Sequence, residues 1–304
     1  MTRTTAPTIV VEDLRKNYGS LAAVDGVSFS VADGEFFGIL GPNGAGKTTT
    51  LELMEGLREP DGGSVTLLGE RPWPRNPRLL PRIGVQLQAS SFFEKLTARE
   101  QLETFASLYG IGPAVADEML DVVGLADKAD TREDKLSGGQ RQRLSIACAL
   151  VHRPDVVFLD EPTAALDPQA RRNLWDVLRA IQGQGRTIVY TTHYLDEAEA
   201  LCDRVAIMDH GKVLALDAPA TLVRGLDAPT HISLAHGPLT AAEAGALPGV
   251  EDVSDDGVSL VIATRTPTPV LSALAERDAL EGLSVRRATL EDVFLQLTGR
   301  EYRA

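Results

Sequence analysis

Residues 41–48 read Gly-Pro-Asn-Gly-Ala-Gly-Lys-Thr and directly follow the apolar stretch Glu35–Leu40 (EFFGIL). The pattern is G-x-x-x-x-G-K-[ST], and it lies where a buried strand is expected to end and a helix to begin. Glycines let the backbone wrap so closely that its N–H groups point at phosphate oxygens, and the helix N-terminus adds its positive dipole end. The stretch therefore predicts a P-loop α/β fold that binds the phosphates of a nucleotide.

The residue types within this loop indicate separate tasks. The ammonium group of Lys47 suits the β- and γ-phosphates, and the hydroxyl of Thr48 is a ligand for Mg²⁺. Thr49 adds a further phosphate contact. The predicted ATP-phosphate site is the whole loop with the threonine that follows it: Gly41, Pro42, Asn43, Gly44, Ala45, Gly46, Lys47, Thr48 and Thr49.

A pair of acids marks the end of a second apolar strand. Residues 156–160 read VVFLD, and Glu161 follows at once. Acids at the carboxyl end of a strand lie where α/β sheets bind their ligands. We expect Asp160 to hold Mg²⁺, directly or through water, and Glu161 to orient and polarise the attacking water.

Strand and helix patterns alternate along most of the chain, which predicts a largely parallel sheet. A mostly helical insertion of about residues 90–155 interrupts the alternation. We predict a loose tail over residues 1–7 and one large α/β domain over residues 8–225. The last part, residues 226–304, shows the order β-α-β-β-α-β with a further helix, which predicts a small α+β domain of the ferredoxin-like type.

Composition excludes several classes of function. With 43 acidic and 30 basic residues the formal charge is -13, which argues against a binder of duplex nucleic acid. No apolar run approaches the roughly 18–20 residues that span a bilayer. If the protein serves a membrane, it does so from outside the bilayer, and we expect no nucleic-acid partner.

The string Leu136-Ser137-Gly138-Gly139-Gln140 is the most specific in the sequence. It precedes an arginine-rich helical stretch, so its serine and glycines lie at a helix start and form a second anion site. Two half-sites for phosphate on one chain indicate two chains that share nucleotide.

With this string the chain resembles the ATP-binding subunits of ABC transporters, over about residues 8–225. The resemblance implies a homodimer that forms on ATP binding, in which LSGGQ closes over the γ-phosphate bound by the opposite subunit. It also implies a D-loop at residues 165–167. The residues implied to act on the partner's ATP are Ser137, Gly138, Gly139, Gln140 and Asp167.

The same resemblance assigns the remaining site residues. Tyr18 lies where the family stacks an aromatic ring on adenine, and His193 matches the switch histidine. Gln88 matches the Q-loop glutamine that contacts Mg²⁺, with Gln86 as a close rival. The implied catalytic residues are therefore Glu161, His193 and Gln88, and the implied Mg²⁺ ligands are Thr48, Gln88 and Asp160.

Two further stretches, Leu57–Gly63 (LREPDGG) and Thr289–Phe294 (TLEDVF), resemble drug-, antibiotic- and lipid-export subunits of the daunorubicin-resistance type. That type pairs a separate ATPase with a separate six-helix permease, which implies a peripheral protein at the cytoplasmic face of the membrane. Phe92 and Phe93 cannot both face inward from one short segment, so one is expected in a surface groove that accepts a permease helix. The alternative is that both rings fill the joint between subdomains.

Two other functions compete with export. Soluble ABC ATPases that act on the ribosome or DNA usually carry two ATPase units or a long coiled coil, and this chain shows one unit and no long heptad run. Importer subunits for sugars usually carry a longer β-rich extension. The transported substrate is recognised by the permease, so the sequence does not identify it.

Overall fold

The computed structural model describes residues 6–86, 92–164, 166–235, 237, 239–255 and 257–299. It divides into two compact units, one up to Pro219 and one from Ala220 onward. The division falls shortly before the domain boundary expected after residue 225. No helix of the described residues is long and apolar enough to cross a membrane.

The described part of the N-terminal unit holds two sheets. The larger has the strand order β5-β6-β7-β3-β8-β9 and is parallel except for β9, which runs antiparallel to β8. The smaller is antiparallel with the order β2-β1-β4. The strands are β1 (Ile9–Tyr18), β2 (Leu21–Val31), β3 (Phe36–Leu40), β4 (Gly62–Leu67), β5 (Ile83–Gln86), β6 (Val156–Asp160), β7 (Thr187–Thr192), β8 (Arg204–Asp209) and β9 (Lys212–Asp217).

Strands β3, β6 and β7 are buried along their whole length, as expected for parallel strands covered on both faces. The larger sheet has a hydrophobic core on each face. Because side chains alternate along a strand, residues next to each other in sequence lie in different cores. Phe36 and Tyr190 lie in one core with their ring centroids 5.7 Å apart, while Phe37 and Val189 lie in the other. Each buried aromatic ring stabilises the sheet by roughly 1.5–3 kcal/mol.

Helices cover the two faces of the larger sheet. Helix α1 and the smaller sheet enclose the second of these cores, and α2 to α5 enclose the first. Within the described residues, the mostly helical insertion comprises the α-helices α2, α3 and α4. The helices of the unit are α1 (Lys47–Met54), α2 (Ala98–Leu108), α3 (Val115–Val122), α4 (Gly138–Leu150), α5 (Pro168–Gly183) and α6 (Leu195–Leu201).

The C-terminal unit has its own antiparallel sheet with the strand order β11-β12-β10-β13. Its core includes Ile232, Leu260, Ile262 and Leu274, all buried. Helix α7 (Pro219–Gly225) begins at the division between the units. The remaining elements are β10 (Thr230–Ala235), α8 (Ala241–Gly245), β11 (Asp252–Asp255), β12 (Ser259–Thr264), α9 (Pro267–Ala275), β13 (Ser284–Arg286) and α10 (Leu290–Thr298).

Candidate nucleotide site

The loop 41–46 connects the carboxyl end of β3 to the first turn of α1. Gly46 has a φ of 100°, and a Cβ there would lie 2.2 Å from the Ala23 carbonyl oxygen. Gly41 is equally confined, since a Cβ would lie 2.4 Å from the Met208 carbonyl oxygen. Close packing of the loop on β2 and β8 therefore requires glycine, and α1 begins after a residue that has no side chain to cap its N–H groups.

Lys47 lies at the centre of the site with only 4% of its surface exposed. Its Nζ donates to the carbonyl oxygens of Gly41 (2.8 Å) and Pro42 (3.2 Å) and pairs with Oε1 of Glu161 at 3.0 Å. The ammonium group is thus held inside the loop rather than extended into solvent. It is a fixed positive charge where the motif predicts phosphate.

Asp160 ends β6 beside two hydroxyl groups. Its Oδ1 accepts hydrogen bonds from Thr191 Oγ1 (2.5 Å) and Thr48 Oγ1 (3.3 Å). Burial raises the pKa of the Asp160 carboxyl, although both hydrogen bonds act to lower it. A hydroxyl and a carboxylate this close form a set of hard oxygen donors, which fits Mg²⁺. Thr48 and Asp160 are the residues present that would hold the metal.

Glu161 is held by a lysine and a histidine. Its Oε2 lies 3.0 Å from Nδ1 of His193, while Oε1 faces Lys47. Its backbone has a φ of 44°, in the sparsely populated left-handed region for a residue with a side chain. Burial by itself raises the pKa of Glu161, but the charge of Lys47 and the hydrogen bonds from Lys47 and His193 outweigh it and lower the pKa below its ordinary value. The group is therefore a carboxylate at neutral pH.

The signature residues lie at the start of α4. Ser137 is the N-cap: its Oγ accepts from the Gln140 N–H (3.3 Å), and Gln140 Oε1 accepts from the Ser137 N–H (2.8 Å). This reciprocal pair is a capping box. A Cβ on Gly139 would lie 3.0 Å from the Cβ of Ala170 in α5, so the signature helix packs closely on the helix that follows the D-loop.

Asp167 is the N-cap of α5, and its Oδ1 accepts from the N–H groups of Gln169 (2.9 Å) and Ala170 (2.8 Å). Tyr18 ends β1 with 42% of its surface exposed. The Arg58 guanidinium lies 5.7 Å from the Tyr18 ring centroid, and the Lys16 ammonium 5.9 Å. The stacking of Tyr18 on adenine stays a prediction.

The structure thus brings together Lys47, Thr48, Asp160, Glu161 and His193. Gln88 lies outside the described residues, so its predicted contact with Mg²⁺ is untested. Its rival Gln86 is buried at the end of β5.

Sequence reasoning missed Thr191, whose hydroxyl donates to Asp160 and accepts from the Glu161 N–H at 2.9 Å. The available signal was a pair of adjacent threonines, 191 and 192, at the end of a fully buried strand. Polar side chains at fully buried strand positions require partners.

The site combines a P-loop after β3, an acid pair at the end of β6, which is separated from β3 by β7, and a capped LSGGQ helix. Together these features define an ATPase of the ABC class. Residues 24–164 match the family model described as ABC transporter. The chain belongs to the ABC transporter family as an ATP-binding subunit that carries the ATPase domain.

Curated relatives match nearly the whole chain. The Nod factor export ATP-binding protein I of Ralstonia nicotianae is 40% identical over 306 residues, which cover 98% of this chain and 95% of the relative. The protein of the same name from Paraburkholderia xenovorans is 42% identical over 298 residues, with 96% and 97% covered.

Solved structures match about seven-tenths of the chain. cbiO1 from Clostridium perfringens, part of the ABC transporter complex cbiONQ, is similar with a TM-score of 0.66 and 28% identity, over 73% of this chain and 95% of that one. An ATP-binding cassette of an ABC transporter in its ADP conformation gives a TM-score of 0.63 and 25% identity, over 70% and 92%.

Proposed function

We propose that this chain hydrolyses ATP with Mg²⁺ between two copies of itself and so powers export of a drug-, antibiotic- or lipid-like substrate through a separate six-helix permease. The observation that carries the chemistry is Glu161, held between Lys47 and His193 beside the oxygen pair of Thr48 and Asp160. Export is supported by the relatives at about 40% identity, which are named for export of Nod factor. The resemblance to daunorubicin-resistance ATPases points the same way.

Each residue of the site has a separate proposed role in hydrolysis, set by its charge and its position. Lys47 supplies a fixed positive charge to the phosphate oxygens of ATP. Thr48 and Asp160 would hold Mg²⁺, which when bound would offset the negative charge of the phosphates. Glu161, ionised and fixed in place, accepts a hydrogen bond from the attacking water and orients it, and His193 holds Glu161 from the other side.

Assembly completes the proposed site. Ser137, Gly138, Gly139 and Gln140 present the start of α4 to the γ-phosphate held by the partner subunit, and Asp167 lies at the same interface. Gln88 is proposed to contact the metal, and Tyr18 to stack on adenine. The protein then acts at the cytoplasmic face of the membrane through its permease.

The C-terminal unit is proposed to be of the ferredoxin-like type. Support comes from its element order and from its strand order β11-β12-β10-β13, with every neighbouring pair antiparallel. The sequence predicted that element order from the pattern of residues 226–304.

Two substitutions test the chemistry. Lys47→Ala removes the charge that the phosphates meet, so ATP binding is expected to fall at least 10-fold. Glu161→Gln keeps size and hydrogen bonding but loses the carboxylate, so binding is retained while turnover falls by about 10²–10³-fold. Fluorescent-nucleotide titration measures the first effect and phosphate release the second.

Lys128→Ala, which removes a lysine from the helical insertion, is the control and is expected to match the wild type. Equal ATP affinity in wild type and Lys47→Ala, or wild-type turnover in Glu161→Gln, contradicts the proposal.

A further inference from the structure

At the carboxyl end of β7, polar side chains lie on both faces of the sheet. Thr191 lies on one face, where its hydroxyl contacts Asp160 and the Glu161 N–H. The residues on either side of it, Tyr190 and Thr192, face the other way because side chains alternate along a strand. Both contact the same carboxylate, that of Glu197 in the first turn of α6.

Glu197 is fully buried, at 0% exposure. Its Oε2 accepts two hydrogen bonds, from Tyr190 Oη (2.6 Å) and from Thr192 Oγ1 (2.6 Å). Carboxylates are rarely buried to this extent unless they are paired and hydrogen-bonded. The contacts of the Glu197 carboxylate must therefore offset the free-energy cost of burying it.

The contact with Thr192 connects Glu197 to the turn that contains His193. The Thr192 hydroxyl donates to Glu197 and accepts from the Tyr194 N–H at 2.9 Å, so it closes a turn around the histidine that lies between them. Glu197 fixes the orientation of that hydroxyl. The turn therefore connects the backbone on either side of His193 to the Glu197 carboxylate.

The other contact leads to the loop that carries Glu161. The Tyr190 hydroxyl donates to Glu197, and Thr163 Oγ1 lies 3.4 Å from the same hydroxyl. Thr163 is two residues beyond Glu161 and only 1% exposed. Tyr190 therefore connects Glu197 to the segment after the catalytic acid.

The remaining oxygen of Glu197 faces α5. Its Oε1 lies 3.8 Å from Nε of Arg171, whose guanidinium stacks on the Tyr194 ring at 4.3 Å from the centroid. Arg171 is one turn into the helix that Asp167 caps. The counter-charge of Glu197 thus comes from the helix that begins at the D-loop.

From these contacts we propose that Glu197 is a positioning residue for hydrolysis: its buried carboxylate fixes the turn that carries His193 and the loop that carries Glu161 at the same time. The proposal rests on the catalytic roles proposed for Glu161 and His193. Glu197 touches neither ATP nor the attacking water and acts through these two residues.

The test compares Glu197→Gln with Glu199→Gln, an exposed acid on the same helix. Glu197→Gln is expected to keep its ATP affinity within about twofold and to lose about 10-fold in kcat, because only placement is disturbed. Glu199→Gln is expected to match the wild type. Thr192→Val, which removes one hydroxyl at nearly constant volume, is the second variant and is expected to show the same split between kcat and affinity.

A double-mutant cycle with His193→Ala separates positioning from general structural damage. Because His193 is one of the two residues through which Glu197 is proposed to act, adding Glu197→Gln to His193→Ala is expected to lower kcat by clearly less than the roughly 10-fold loss in the wild-type background. The proposal is overturned if Glu197→Gln lowers kcat as much in the His193→Ala background as in the wild type. It is also overturned if Glu197→Gln and Thr192→Val both keep the wild-type kcat. Wild-type turnover in His193→Ala itself instead rejects the histidine's role in the proposed function, so the two failures are distinguished.

Discussion

At the scale of single residues, Glu55 at the end of α1 departs from the rule that buried acids are paired. It is 5% exposed, and within the part of the chain that the structure describes neither of its carboxyl oxygens has a hydrogen-bond partner. It lines a cavity of about 290 Å³ together with Arg75 and Asn76. Burial, and then the charges of Asp160 and Glu52, raise the pKa of Glu55 to about 8.

This raised pKa predicts a dependence of stability on pH. The folded protein holds the Glu55 proton more tightly than the unfolded chain, so its contribution is fully present below the ordinary glutamate pKa and is lost as pH rises towards 8. Over that window the unfolding free energy is expected to fall by about 1.4 kcal/mol per pH unit because of this group. Glu55→Gln removes that slope, which urea unfolding at about pH 5, 6, 7 and 8 measures.

The exposed acid Glu59 supplies the comparison, since Glu59→Gln makes the same change of charge in the turn after α1. Its slope is expected to equal that of the wild type. Identical slopes in wild type and Glu55→Gln show that the carboxyl of Glu55 is ionised in the folded protein at neutral pH, contrary to this prediction.

At the scale of elements, the two adjacent phenylalanines before α2 differ in their exposure to solvent. Phe92 packs against the core that the helices share, whereas Phe93 is 49% exposed. The backbone of Phe93 is held by Gln101, whose Nε2 donates to its carbonyl oxygen (2.6 Å) and whose Oε1 accepts from its N–H (3.2 Å). A fixed backbone that presents an exposed ring suits a surface for an amphipathic permease helix.

The two rings should therefore respond differently to truncation. Phe93→Ala is expected to leave the melting temperature and basal ATP hydrolysis near wild type but to reduce permease-stimulated hydrolysis several-fold. Phe92→Ala removes core contacts and is expected to lower the melting temperature, with a loss of up to about 3–5 kcal/mol for a fully buried ring. Thermal melts and ATPase assays with and without permease distinguish them, and full stimulation of Phe93→Ala contradicts the docking role.

Elements with strong local signals were predictable from sequence. Strands β3 and β6 are short apolar runs bounded by a glycine loop and an acid, and the P-loop predicts a helix directly after β3. Strand β9 was not predicted, because its six residues are exposed or half-buried and it is defined by pairing with β8. The contacts of Thr191 and Glu197 also depend on which strands become neighbours, which periodicity does not reveal.

At the scale of the whole molecule, the signature of one chain is proposed to meet the nucleotide in the P-loop of its partner, which requires a dimer. ATP is then expected to drive dimerisation, most clearly in Glu161→Gln, where ATP is not consumed. Ser137→Ala in that background is expected to weaken the dimer by about 10-fold, since the hydroxyl proposed to contact the γ-phosphate is lost. Sedimentation velocity with ATP measures the dissociation constant.

Ser272→Ala, an exposed serine of the C-terminal unit, is the matched control and is expected to leave the dimer unchanged. Because assembly on the proposed permease would strengthen a weak dimer by proximity, the measurement is repeated with the permease present. A monomer under both conditions rejects shared nucleotide sites.

The capping box at the start of α4 has a consequence for the thermodynamics of that assembly. Ser137 and Gln140 hold each other through two reciprocal hydrogen bonds within a single subunit. The conformational entropy of this end of the interface is therefore lost when each chain folds, and not when two chains meet. Association is expected to carry a smaller entropic penalty here than a flexible loop would impose, so this half of the proposed interface is preorganised before nucleotide binds.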